Sequence, residues 1–215
     1  MERSAPGPSQ KYIKFLGHII DSSGLRKSPE YVEQIKNLGR PRTVHQLRQF
    51  LGIVNYQRKF VKDCSTTAKP LSELTGLPAK TVLTWTDAMV KSFEQLKVDL
   101  QADITLAFPD YSKDSNPLSL WLDASATGAG ACLTPEQEGH TKFIAFASMT
   151  FSNAQRNYSA TGRELAALRR GVKTLHSFLC AVHFKIYTNH QALLYLYNMR
   201  LVNHRLARTV EELAD

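Results

Sequence analysis

The spacing of apolar residues changes once along this chain, and the change predicts two structural modules. Between residues 29 and 105 the apolar residues recur every three or four positions, which is typical of amphipathic helices. From residue 118 onward short apolar runs are separated by turn residues, and this pattern is typical of strands. Because a helical stripe interrupts these runs, residues 106–215 are expected to form an α+β domain.

Turn residues give the expected organisation of the N-terminal part. Residues 1–10 are rich in Pro, Gly and Ser and are expected to be a disordered tail. Residues 12–20 form a strand-like run, and the turn residues 21–24 follow it. Residues 11–28 are therefore expected to form a strand hairpin.

Three helices are expected within residues 29–105. Helix starts are predicted at Pro29, at Thr43, whose spacing to Gln46 fits a capping box, and at Thr86 or Asp87. The apolar stripes of these helices are Val32, Ile35 and Leu38; Val44, Leu47, Leu51 and Val54; and Met89, Phe93, Leu96 and Leu100.

The second module is expected to contain four strands and two helices. The strands are predicted over residues 118–124, 128–133, 142–147 and 183–187. A last helix is expected over residues 190–197. The helix between the third and fourth strands is expected to bury Leu165, Leu168, Val172, Leu175 and Phe178.

Positive charge is concentrated in two stretches of a chain whose net charge is +8. Residues 40–62 carry six basic residues and no acidic one, and residues 156–208 carry nine basic residues and one acid, Glu164. Such stretches on a foldable sequence are typical of proteins that follow a phosphate backbone. A basic surface that is merely solvated is the alternative.

Composition indicates a soluble globular protein. Hydrophobic residues make up 43% of the chain and charged residues 21%, which excludes a disordered polypeptide. The three cysteines are far apart, which argues against a disulfide framework and for a reducing, intracellular compartment, cytoplasmic or nuclear. No stretch approaches about 18 apolar residues, so no membrane partner is expected.

Asp123 is the first candidate for chemistry. It ends the apolar run 118–122, where an ionised carboxylate is costly unless it is paired or binds a metal. The small residues 124–131 allow a tight turn and a close second strand. This is a suitable place for a divalent cation and a phosphate. A simple turn hydrogen bond from Asp123 is the alternative.

Two further positions bear on the same cluster. Glu164 is expected to begin a helix and to point toward the sheet, since it shares a face with Leu168. However, Thr161 and Glu164 also fit a capping box, which would make Glu164 purely structural. Asn189 follows the last predicted strand, where a third carboxylate would complete the cluster, and a neutral amide binds divalent cations more weakly.

Two ordered sets of motifs resemble gypsy-type LTR retrotransposon reverse transcriptases, and the resemblance covers nearly all of residues 11–208. The set that resembles the end of the palm and the thumb is Phe15-Leu16-Gly17-His18, Leu47-Arg48-Gln49-Phe50-Leu51-Gly52, Ala68-Lys69-Pro70-Leu71 and Trp85-Thr86. The set that resembles the ribonuclease H domain is Leu122-Asp123-Ala124-Ser125, Gly128-Ala129-Gly130-Ala131, Asn157-Tyr158-Ser159 with Glu164-Leu165, and Tyr187-Thr188-Asn189-His190.

The resemblance implies a domain plan. Residues 11–28 would be the end-of-palm hairpin, residues 29–105 a thumb-like helical module, and residues 106–215 a ribonuclease H-like domain. Such a domain has a mixed β-sheet flanked by helices. The partners implied are an RNA–DNA hybrid or other nucleic acid, and the palm and fingers of a polymerase.

The resemblance also implies residue roles. Asp123 and Glu164 would bind two Mg²⁺ ions, for which Mn²⁺ can substitute, and Asn189 would hold the place of a third acidic ligand. In the family, these metals activate water for attack on the RNA strand of an RNA–DNA hybrid. The basic residues expected to contact nucleic acid are Arg48, Arg58, Lys59, Arg163 and Arg169.

Three departures from the family pattern lower the expected activity. The Tyr-x-Asp-Asp turn of the polymerase palm is absent, so the chain is not expected to copy nucleic acid. Asn189 replaces an aspartate, and the chain ends at Asp215, before the family's last strand and helix, as a truncated piece of a Pol polyprotein would. Because of Asn189 and the missing C-terminal element, very low hydrolysis is expected. The alternative is an inactive nucleic-acid-binding or scaffolding module, such as a connection domain or a captured fragment.

Overall fold

The computed structural model describes residues 11–112, 117–135, 142–180 and 182–189. The predicted tail at residues 1–10 and the predicted helix at residues 190–197 lie outside the described residues. Within these ranges, no helix carries an apolar stretch long enough to cross a membrane.

A three-stranded antiparallel sheet opens the described chain. Its strands are β1 (Tyr12–Phe15), β2 (His18–Asp21) and β3 (Gly24–Lys27). The prediction of one strand over residues 12–20 was wrong, because Leu16 and Gly17 have φ angles of 47° and 76° and reverse the chain. Positive φ at two successive residues is typical of the tight turns that join hairpin strands.

Four α-helices follow the sheet: α1 (Pro29–Lys36), α2 (Val44–Tyr56), α3 (Cys64–Ser72) and α4 (Asp87–Gln101). The predicted starts of α1, α2 and α4 are confirmed, because the side chains of Ser28, Thr43 and Thr86 each accept a backbone N–H from three residues on. Sequence reasoning missed α3. Pro70 lies inside this helix, and proline normally disfavours a helix interior because it lacks an N–H.

The apolar stripes of these helices form one core. Leu47 of α2, Leu71 of α3 and Leu96 of α4 have no solvent exposure. The rings of Phe50 and Phe93 pack with their centroids 4.7 Å apart. Burying each of these side chains contributes roughly 1.5–3 kcal/mol to stability, so the core is the main support of the helical module.

The second module contains a four-stranded mixed sheet, confirming the predicted α+β class. Its strands are β4 (Leu118–Ala124), β5 (Gly128–Pro135), β6 (Ala145–Thr150) and β7 (Phe184–Thr188). Their spatial order is β6-β5-β4-β7, and β7 runs parallel to β4 while the other pairs are antiparallel. The third strand begins later than the predicted residue 142, because Phe143 pairs with the segment at Leu106 and Ala107 instead of with β5.

Helices cover one face of this sheet. A short α5 (Asn153–Arg156), which the sequence did not predict, precedes the long α6 (Ala160–Leu179). Leu168 and Leu175 of α6 pack against Leu120 of β4, and all three are buried. The predicted stripe is confirmed at Leu165, Leu168 and Leu175, whereas Val172 and Phe178 are only partly buried.

Candidate active site

Asp123 lies near the end of β4, on the face of the sheet that α6 does not cover. Leu122 points toward α6, because its Cδ2 atom would lie 3.0 Å from a Cβ added to Gly171, which is a residue of that helix. Side chains alternate along a strand, so Trp121 and Asp123 belong to the opposite face, and both are exposed. The carboxylate of Asp123 is therefore accessible to a ligand.

Asn189 is brought into contact with Asp123 by the parallel pairing of β4 and β7. Leu122 is the register partner of Thr188, so the next residue of each strand lies side by side. Nδ2 of Asn189 donates a long hydrogen bond of 3.4 Å to Oδ1 of Asp123. An amide rather than a carboxylate thus stands at this position of the site.

Glu164 is not the helix cap that one interpretation of the sequence predicted. The N-cap of α6 is Ser159, whose side chain accepts a hydrogen bond from the Gly162 N–H at 3.1 Å. Because Ser159 is the N-cap, α6 begins at Ala160 and Glu164 is its fifth residue. The capping-box interpretation of Thr161 and Glu164, and the prediction that Glu164 begins the helix, were both wrong.

Glu164 is instead buried, with 5% of its surface exposed, on the side of α6 that packs against β4 and β5. Ala124, which follows Asp123, packs in the same cluster as Ala167, one turn after Glu164. Both carboxylates therefore belong to the same end of β4, with Asp123 on the open face and Glu164 beneath the helix. Their joint binding of metal stays a prediction.

An open groove of about 580 Å³ surrounds Asp123. Trp121 and Tyr187 stack along it, with their ring centroids 4.2 Å apart and their planes 13° from parallel. The indole of Trp121 donates to Thr134 Oγ1 at 3.0 Å, which holds the ring in place. The polar residues that line this Asp123 groove are Lys62, Asp63, Asp123, Thr188 and Asn189.

The oxygen donors in this groove suit a hard divalent cation. Asp123 offers an exposed carboxylate and Asn189 an amide oxygen, while Gly130 opposite Asp123 in β5 adds no side chain to the space. In the part of the chain that the structure describes, no three acidic, histidine or cysteine side chains group closely enough to enclose a metal. Mg²⁺ is commonly held by one or two carboxylates and keeps several waters, so the residues present fit Mg²⁺.

A second depression, the basic cleft, lies where α3 and β6 meet α5 and α6. Its volume is about 970 Å³, and its lining includes four cationic side chains and no acidic one: Arg58, Arg169, Arg170 and Lys173. Arg58 is held by a hydrogen bond of 2.8 Å from its Nη2 to the Ser148 carbonyl oxygen. Polar side chains of Gln155, Asn157 and Thr161 complete the lining, so the surface suits a polyanion.

The five predicted nucleic-acid contacts fall into two groups. Arg58 and Arg169 line the basic cleft. The other three have structural contacts: Arg48 donates to the Thr75 and Leu77 carbonyls at 2.7 and 2.8 Å, and Arg163 donates to the Tyr158 carbonyl at 2.9 Å. Lys59 lies 5.5 Å from the centre of the Phe60 ring, and burial lowers its pKa. Contacts of these three with nucleic acid stay predictions.

Sequence reasoning missed Arg170, Lys173 and Asp63. The first two could have been found, because they lie on the exposed side of α6, opposite the leucine stripe. Asp63 carried no signal, since only the packing of α3 against the sheet brings it into the Asp123 groove.

Comparison with known proteins shows the family to which the C-terminal part of this chain belongs. Residues 113–215 match the family model of the RNase H-like domain found in reverse transcriptase. This part of the chain belongs to that family. The relatives of the chain include retrovirus-related Pol polyproteins from transposons, as the sequence motifs indicated.

Three relatives illustrate the similarity. The Retrovirus-related Pol polyprotein from transposon opus of Drosophila melanogaster is 34% identical over 206 residues, which is 91% of this chain and 20% of the relative. That from transposon gypsy is 30% identical over 207 residues, 91% of this chain and 19% of the relative. The Transposon Tf2-3 polyprotein of Schizosaccharomyces pombe is 31% identical over 188 residues, 86% of this chain and 14% of the relative. The chain thus spans a fifth or less of these relatives.

Solved structures support the fold of the helical module and the RNase H-like domain together. The foamy viral protease-reverse transcriptase dRH in complex with double-stranded DNA has a TM-score of 0.79 and 24% identity, and the match covers 95% of this chain and 36% of that one. The foamy viral protease-reverse transcriptase in complex with an RNA/DNA hybrid has a TM-score of 0.75 and 24% identity, and the match covers 95% of this chain and 28% of that one.

Proposed function

We propose that this RNase H-like domain binds an RNA–DNA hybrid and hydrolyses its RNA strand weakly, with the help of divalent metal. The observation that carries this proposal is the contact between Asp123 and Asn189 on the open face of the sheet. In this contact the carboxylate proposed to bind metal lies beside a neutral amide. Family membership supplies the reaction, and the amide supplies the reason for its weakness.

In this proposal Asp123 and Glu164 are the charged ligands and Asn189 is a neutral one. When bound, Mg²⁺ would supply an activated water and would stabilise the departing oxygen, and Mn²⁺ can substitute for it. Asp123 presents its carboxylate in the groove, whereas Glu164 is buried on α6 and does not line the groove, so its role as a ligand rests on the resemblance to the family. Two cations a few ångströms apart repel each other, so the loss of one negative ligand at Asn189 weakens retention of the pair.

The basic cleft is the proposed contact with the duplex backbone. Its four cations lie on a surface with no acidic neighbour in the lining, which favours phosphate binding without sequence preference. The two proteins of similar structure were solved in complex with double-stranded DNA and with an RNA/DNA hybrid. This supports a duplex as the ligand of the present chain.

The polymerase palm is the proposed protein partner of the N-terminal sheet. Ile13, Phe15 and Leu16 are each more than 60% exposed on or beside the edge strand β1. Apolar side chains on an unpaired strand edge are usually covered by another part of the protein. The relatives are about five times longer than this chain or more, and a preceding part of such a polyprotein would cover this edge.

A cleavage assay tests the catalytic proposal. The chain is incubated with a labelled RNA–DNA hybrid in Mg²⁺ or in Mn²⁺ and compared with Asn189→Asp and with Asp123→Asn. We expect slow cleavage by the unmodified chain, faster cleavage by Asn189→Asp because the third charge is restored, and none by Asp123→Asn. Efficient cleavage by the unmodified chain would overturn the proposed role of Asn189.

The second candidate function is a nucleic-acid-binding scaffold without catalysis. The neutral Asn189 beside Asp123 favours this scaffold function. A protein that does not cleave nucleic acid does not need to hold two metal ions, so it tolerates an amide in place of a carboxylate at position 189. The same assay separates the candidates. Hybrid binding without cleavage, both by the unmodified chain and by Asn189→Asp, would establish the scaffold.

A further inference from the structure

Asp63 occupies the N-cap position just before helix α3, but its side chain does not cap the helix. The residue has a left-handed backbone (φ 52°, ψ 24°), and its side chain makes no capping hydrogen bond. The carboxylate reaches the mixed sheet instead, where its Oδ1 would lie 2.7 Å from a Cβ on Gly130. Only a glycine leaves the space that this carboxylate occupies.

The register of the sheet puts Asp63 next to Asp123. Asp123 pairs with Gly130, and Gly130 pairs with Ser148, so the three residues form a row across β4, β5 and β6. Directly opposite residues of antiparallel strands share a face, with their Cβ positions about 4.5–5.5 Å apart. Oδ1 of Asp63 therefore lies within roughly 8 Å of the Asp123 Cβ by the same spacing.

Hydrogen bonds between α3 and β6 fix this placement. The Ser65 N–H donates to Ser148 Oγ at 2.9 Å, and Ser65 Oγ donates to the Ser148 carbonyl oxygen at 2.9 Å. Thr150 Oγ1 donates to the Ser65 carbonyl oxygen at 3.2 Å, and Arg58 adds its bond to the Ser148 carbonyl. Because Ser65 lies two residues after Asp63, this clamp holds the carboxylate over the sheet.

The two carboxylates share one groove with Lys62, and Lys62 forms no ion pair with either of them among the described residues. Asp63 and Asp123 are both exposed and both line the Asp123 groove with Asn189. Neither takes part in an ion pair with another described residue. Two negative charges at this separation repel each other, and a divalent cation between them would relieve the repulsion.

We propose that Asp63 is an additional ligand, direct or through water, of the divalent cation that Asp123 binds. The inference rests on the proposed function, since it assigns a further residue to the same metal. Asp63 belongs to the helical module, so this module supplies a negative charge to the metal site. The neutral side chain of Asn189 does not supply one. One cation is then held by Asp63, Asp123 and the amide oxygen of Asn189, with water completing its oxygen shell.

Calorimetric titration of the full chain with Mn²⁺ tests this inference without depending on cleavage. We expect Asp63→Asn to bind Mn²⁺ about ten-fold more weakly than the parent, which is the scale on which supporting groups change metal affinity. Gly130→Ala should weaken binding in the same direction, because the added Cβ displaces the Asp63 carboxylate. Thermal unfolding of each variant checks that the fold is retained.

Asp87→Asn is the matched control. Asp87 is exposed and is the first residue of α4, so this change removes the same charge near the start of another helix, away from the groove. It should leave the affinity unchanged. If Asp123→Asn loses Mn²⁺ while Asp63→Asn binds like the parent, the inference is refuted and the proposed site stands. If Asp123→Asn also binds like the parent, the proposed metal site itself is wrong.

Discussion

The basic cleft predicts how strongly salt should weaken binding to a duplex. Each phosphate contact contributes a slope of about −0.9 to the dependence of log affinity on log salt, taking the value for B-DNA. If the four cations of the cleft make the contacts, the slope is about −3.6. Affinity should then fall roughly 150-fold between about 50 and 200 mM salt.

Removing two of these cations should halve the slope. The double variant Arg170→Gln/Lys173→Gln leaves two cleft cations, so the slope should be about −1.8 and the loss of affinity over the same salt range roughly 12-fold. Both residues lie on the exposed side of α6, so the change should leave the core intact.

Fluorescence anisotropy of a labelled RNA–DNA hybrid in EDTA measures this dependence without cleavage. The matched control is Lys80→Gln/Lys91→Gln, which removes two exposed charges outside the cleft and should keep the parental slope. The reasoning is refuted if both double variants change the slope equally, or if the parent binds with an affinity that salt does not alter.

Two further predictions concern buried titratable groups. Burial lowers the pKa of Lys27 from 10.5 to about 8, so between these values the unfolded chain binds more protons than the folded one and stability rises with pH. Lys27→Met should therefore stabilise the protein more at pH 7 than at pH 10, as chemical denaturation at the two pH values can measure. Burial also raises the pKa of the Cys132 thiol to about 12, and Cys64 is buried, whereas Cys180 is exposed. A thiol reagent at neutral pH should modify the exposed Cys180 faster than the partly exposed Cys132 and the buried Cys64, and modification of Cys132 as fast as that of Cys180 in the folded protein would contradict this prediction.

Much of the fold could be predicted from local patterns. The caps Thr43 and Thr86 act on amides only three residues away, so their signal is contained in a short segment. Strand β4 was predicted with the bounds that the structure has, because its apolar run is continuous. The errors arose where local signals compete: Gly17 splits an apparent strand, Pro70 conceals a helix, and Ser159 caps α6 in place of Thr161.

The candidate site was predicted in part for a similar reason. Asp123, Glu164 and Asn189 could be selected because each ends a strand or lies on a helix face with a clear pattern. The distances between them could not be predicted, since the parallel pairing that brings Asn189 to Asp123 joins residues 66 positions apart. No local pattern encodes the register of such a pairing.

By itself, the sequence determined the two modules, the helical stripes, the strand that carries Asp123 and the amide at position 189. These features depend on residue type and on short-range periodicity, which are properties of the chain before it folds. Only the tertiary structure decided that Asp63 of the helical module lies over Gly130, and that Arg58 joins three cations of α6 in one cleft. Both arrangements result from the packing of α3 against β6, where hydrogen bonds such as that between Ser65 and Ser148 join residues 83 positions apart.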